Sequence, residues 1–149
     1  MKKFAVLTLG LTLTLLSTWQ AEARDTKHLL PIAAALAVKD AEAKLDGSVK
    51  FYFGNQETPN ILAKLGSDVS NRKTNAFGKS DEQACNWAFL SAMVALEQRA
   101  KQLGANAVVN IVSYYKKNVM SSTTDFECHA GTIIAGVALK GEFVKIGDR

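Results

Sequence analysis

Four side chains in this sequence are of types that do chemistry beyond simple charge: His28, Cys85, Cys128 and His129. Cys128 and His129 stand side by side in "DFECHAGT", and Cys85 is the only other cysteine. Three chemistries suit such a set: a metal site, a reactive thiol or a disulfide. Neighbouring residues on a strand point to opposite faces, so Cys128 and His129 reach one ion only across a bulge, and no CxxC or HxxxH pair assists them. Cys85 falls near a helix start, where the positive end of a helix favours a thiolate. In an oxidising compartment an even pair of cysteines is more simply a disulfide, Cys85 to Cys128. The residues favour the bridge and leave open the thiol and a metal pair of Cys128 and His129.

Other chemistry is thin. No GxxxxGK[ST] or GxGxxG cradle for phosphates is present. Ser113, Ser121 and Ser122 sit in no nucleophile elbow, and His28 falls in a lead-in that reads as mobile. The expectation is a non-catalytic chain with no cofactor. Its 18 Lys and Arg against 14 Asp and Glu give a formal charge of +4. That is mildly basic and short of a nucleic-acid footprint, so no nucleic-acid partner is expected.

The compartment follows from the start of the chain. "MKKFAVLTLGLTLTLLSTWQAEARD" joins Lys2 and Lys3 to an apolar run and the small residues of Ala21-Glu22-Ala23. This reads as a secretory signal peptide over residues 1–23, cleaved after Ala23, and its apolar run is short for a membrane span. A periplasmic protein without a membrane span is expected.

The elements that must position these side chains are uneven in clarity. Residues 24–46 read as an N-terminal helical segment, one broken helix or two short ones, with Pro31 at a start and Gly47 at a stop. Residues 47–149 read as an α+β domain, a mostly antiparallel sheet packed on one long helix. "SVKFYFG" alternates, with Val49, Phe51 and Phe53 on one face and Tyr52 on the other. "ILAKLG" reads as a helical turn, and "SDVSNRKTN" as a weak edge strand or loop. Ser80 with Gln83 forms a capping box for a helix ending at Gly104. Cys85, Phe89, Ala92, Leu96, Ala100 and Leu103 share its apolar stripe, while Glu97, Gln98, Lys101 and Gln102 read as solvated. "ANAVVNIVSYYKK" reads as a central strand leading into a hairpin, and "FECHAGTIIAGVALKGEFVKI" as one long strand or two. Gly131, Gly136 and Gly141 mark bulges or bends there. Tyr52, Tyr114, Tyr115, Lys116 and Lys117 form the candidate surface for a protein partner. The flat face of Ile134, Gly136 and Ala138 offers a route to a homo-oligomer, in an alternative reading as a small-ligand or metal-binding module.

The run "EQRAKQLGANAVVNIVSYY", a following cysteine and "IIAGVALKG" together resemble the RcsF/YbjQ-like superfamily, over roughly residues 61–146. That resemblance implies a helix running into "GANAVV", an envelope protein as partner and a role related to envelope stress. It also implies a disulfide between Cys85 and Cys128, which match two cysteine positions of the family. The chain lacks the family's lipidation cysteine and its second disulfide. It is also similar to chains that carry an "excinuclease ATPase subunit" name, although no ATPase motif supports that activity here.

Overall fold

The structure is a computed structural model and describes residues 23–148. Nearly all of the expected leader therefore lies outside the described residues. The architecture is α+β, with six strands in a curled mixed sheet and one long helix packed across it. In chain order the elements are β1 (Thr26–Pro31), α1 (Ile32–Leu36), α2 (Ala41–Lys44), β2 (Lys50–Phe53), β3 (Ile61–Asn75), α3 (Asp81–Leu103), β4 (Ala107–Ser113), a short 3-10 turn (Tyr115–Lys117), β5 (Asp125–Ala130) and β6 (Ile134–Ile146). Among the described residues no helix is long and apolar enough to cross a membrane.

Strand β6 is the spine of the sheet. One of its edges pairs with β3 along its whole length, from Ile134↔Asn75 to Ile146↔Ile61. Its other edge is shared by β5, through Gly136↔His129, and by β4, through Leu139↔Ser113 to Val144↔Ala107. The two ends are completed by β1 on β5 and by β2 on β4, the latter the one parallel pairing. Gly141 is the residue that lets this spine close. Asn110 and Ile111 together oppose it, forming a bulge with Asn110 in the left-handed region at φ 50°. A Cβ on Gly141 would stand 2.5 Å from Val108 Cγ1, closer than any real contact.

Helix α3 forms where its signals place it. Ser80 Oγ accepts the Gln83 backbone N–H, Asp81 and Glu82 occupy the first turn, and Gly104 caps the end at φ 73°. Its stripe from Cys85 through Phe89, Ala92 and Leu96 to Ala100 is fully buried against Val137, Leu139, Phe143, Val108, Ile111 and Phe126. Phe89 stacks on Phe126 with ring centroids 4.3 Å apart, and on Phe53 at 6.1 Å. Cys85 Sγ is bonded to Cys128 Sγ at 2.06 Å, with Cα atoms 5.8 Å apart, and so ties α3 to β5.

Several local expectations are corrected. The lead-in at Thr26–Pro31 is an ordered strand, because β5 offers it a full antiparallel edge from Thr26↔Ala130 to Pro31↔Asp125. "ILAKLGSDVSNRKTN" is one continuous edge strand, since the apolar side chains of β6 supply the burial that β3 itself lacks. Glu97 is buried rather than solvated, and Lys101 one helical turn on reaches it at 2.8 Å. The expected hairpin after β4 is reduced to one antiparallel pair, Ser113 with Met120, which exchange both backbone hydrogen bonds. β4 and β5 run in the same direction along one edge of β6, so residues 114–124 are an excursion from that edge.

The bridge closes a separation of 43 residues in sequence. Replacing Cys85 and Cys128 together with serine is expected to cost about 4 kcal/mol on the chain-entropy estimate for such a loop. Urea unfolding of the two proteins under non-reducing conditions measures this difference.

Candidate functional site

The alternation of β5 sorts its chemistry onto two faces. Phe126 and Cys128 turn inward to α3, where both are buried. Glu127 and His129 turn to the outer face, and β1 repeats the pattern through Leu29↔Glu127 and Lys27↔His129. His28 and Leu30 share the inner side.

On the outer face His129 is held from both ends. Its Nδ1 lies 3.0 Å from Asp25 Oδ1 and its Nε2 2.7 Å from Glu127 Oε1. Each ring nitrogen thus faces a carboxylate oxygen, and a nitrogen that carries a proton donates it there. Tyr115 lies flat on it, with ring centroids 3.5 Å apart and planes at 10°, and its hydroxyl donates to Asp25 Oδ2 at 3.2 Å. Lys27 Nζ pairs with the second Glu127 oxygen at 3.2 Å. Burial pushes the Glu127 carboxyl up, but hydrogen bonds from His129 and Lys27 outweigh it and hold the group below its ordinary value. For Asp25 the same opposition of burial against His129, Tyr115 and Lys116 also ends below the ordinary value.

The excursion after β4 places Tyr115 there at a conformational cost. Lys116 and Lys117 both occupy the left-handed region, at φ 49° and 66°, where glycine or asparagine would sit more easily. Lys116 Nζ folds back over the Tyr115 ring at 5.2 Å, and Lys140 Nζ lies 5.1 Å over Tyr114. Two open clefts flank the His129–Tyr115 stack. One, of about 400 Å³, is lined by Lys73, Ile133, Ile134 and Gly136. The other, of about 470 Å³, is lined by Lys27, Lys116, Val119 and Met120.

Tyr114, Tyr115, Lys116 and Lys117 thus lie together, with both tyrosines partly covered and both lysines exposed. Tyr52 belongs to a different patch, against Ala107, Val109, Val144 and Ile146 at the far end of the outer face. Cys128 and His129 do not converge: the sulfur is bonded inward to Cys85 and the ring is engaged outward. Among the described residues no three His, Cys, Asp or Glu side chains converge as metal ligands. Sequence reasoning missed Asp25, Lys27 and Glu127. The alternation of "FECHA" was the one signal for Glu127, while Asp25 and Lys27 belong to the strand that the sequence hides.

On the inner side the first turn of α3 anchors the same strand. Arg24 makes a two-pronged ion pair with Asp81, at 2.7 and 2.8 Å, and also donates to the Gly131 carbonyl. His28 Nε2 approaches Asp81 Oδ2 to 2.9 Å. These hydrogen bonds, from Arg24 first, lower the Asp81 carboxyl to about 2.

No family model matches this chain, and no curated protein is similar enough to match it.

A carboxyl whose folded pKa is depressed stabilises the fold above its unfolded value and loses that contribution as pH falls. For Asp81 the window runs from the ordinary value of 3.8 down to about 2. The Asp81→Asn variant is expected to be less stable at neutral pH, with the gap to the wild-type chain narrowing across that window. Urea midpoints measured from pH 6 to pH 2 follow it; a gap that stays constant would show that Asp81 anchors nothing electrostatically.

Proposed function

We propose that this chain is a non-catalytic binding module of the bacterial periplasm that recognises an acidic segment of another envelope protein. The outer sheet face around Tyr114, Tyr115, Lys116 and Lys117 is the recognising surface. The observation that carries this reading is a group of lysines on the outer sheet face, which no helix covers among the described residues and over which the Tyr115–Lys117 turn lies. Helix α3 covers the inner face, and α1 packs against α3 rather than across the sheet. Lys73, Lys116, Lys117 and Lys140 point from the outer side with no carboxylate within ion-pair distance among the described residues.

Physical chemistry favours this use of the face. Tyrosines half-covered by neighbours lose little side-chain freedom on binding, and their hydroxyls and rings serve polar and apolar contacts alike. The left-handed Lys116–Lys117 turn stores backbone strain in presenting two ammonium groups, as sites of recognition often do. The His129 clamp fixes Tyr115 beneath them, so the surface is preorganised. The disulfide is compatible with an oxidising compartment, and the leader-like start of the sequence supports export. The resemblance to the RcsF/YbjQ-like superfamily supports a connection with envelope stress.

Reversing two charges tests the site without touching the core. The Lys116→Glu/Lys117→Glu double variant is expected to fold with an unchanged melting temperature within a few degrees and to lose partner capture in periplasmic cross-linking. Undiminished capture by a folded double variant would remove this surface from consideration.

A further inference from the structure

Strand β3 ends the sheet, and its 15 residues pair with β6 alone, so its second row of backbone N–H and C=O groups has no strand beside it among the described residues. Nearly every residue of it is exposed. Edges of this length are normally shortened, covered or paired, because they template association with another strand. The side chains on this edge say what that strand would be.

Residues Asp68, Ser70 and Arg72 face α3, since they lie opposite Gly141, Leu139 and Val137 of β6. If two copies of β3 pair antiparallel about a two-fold axis, the faces of the sheet continue only when the axis passes through a residue. An axis at Asp68 would oppose the two Asp68 carboxylates, and one at Arg72 would oppose the two guanidiniums. An axis at Ser70 sets Asp68 of each copy against Arg72 of the other, twice, and brings no like charges together between residues 67 and 73. Arg72 has no carboxylate within ion-pair distance among the described residues, and Asp68 has only Arg99, at 3.7 Å.

Ser70 itself lies on this axis. The Ser70 hydroxyl is buried without a hydrogen-bond partner, on a residue only 6% exposed. Buried polar atoms seldom stay unsatisfied. That hydroxyl is turned under α3 and closed off within its own copy, so the register rests on the Asp68 and Arg72 charges. We infer that β3 is a homodimer interface, in which the edges of two copies pair antiparallel about Ser70 and Asp68 bonds Arg72 across the axis. Two copies would then form one continuous sheet of twelve strands with both outer faces on the same side.

Sedimentation velocity on the full chain tests this by charge exchange, with near-UV circular dichroism confirming that each variant is folded. Wild-type protein is expected to sediment as a dimer. Asp68→Arg and Arg72→Asp, each creating two like-charge contacts, should weaken self-association at least about tenfold. The Asp68→Arg/Arg72→Asp double variant should recover it. A monomeric wild type at all concentrations, or a dimer indifferent to both single reversals, would overturn the inference. Failure of the double variant to recover would rule out the Ser70 register.

Discussion

The bond between Cys85 and Cys128 fixes more than the distance between a helix and a strand. It decides which way β5 faces. With Cys128 bound inward to the first half of α3, every second residue of β5 is committed: Phe126 joins Phe89 in the core, while Glu127 and His129 are turned outward. A slip of one residue would bury His129 and expose Phe126, so the bridge holds the register on which the outer cluster depends. The same register sets β1, whose His28 meets Asp81 on the inner side while Lys27 meets Glu127 on the outer.

A second constraint is the length of β6. Thirteen residues suffice for β5 and β4 to lie end to end along one edge, with β3 along the other. The chain must therefore leave the sheet between β4 and β5. That departure lifts Tyr114 to Lys117 over the outer face and lays Tyr115 on His129. The aromatic and basic surface thus follows from the sheet topology and the two-carboxylate clamp on the imidazole. The Tyr115–Lys117 turn is what covers this face, since α3 packs on the inner face.

The helix, its caps and its buried stripe were legible because every local signal there agrees: a capping box, a 3.6-residue apolar period and a terminal glycine. The bridge was legible from the even number of cysteines and the leader-like start of the sequence. What the sequence hid was pairing supplied from far away. β1 carries Leu29 outward, 56% exposed, which spoils its alternation, and β3 is polar from Ser67 onward apart from Val69. Both are strands because β5 and β6 present an edge to them, and a short-range pattern carries no trace of that. The candidate tyrosines and lysines after β4 were visible as types. Their clamp was not, because Asp25 lies 104 residues from His129 in sequence.

Binding at the outer face and binding at α3 are distinguished by which backbone amides a ligand perturbs. An amide chemical-shift titration of the uniformly labelled chain with a glutamate-rich peptide separates the two faces residue by residue. Shifts concentrated at Tyr114 to Lys117, Lys73, His129 and Lys140, and fading with added salt, are what binding at the basic outer face requires. Shifts centred on α3, or none at peptide concentrations well above those of the protein, would contradict it.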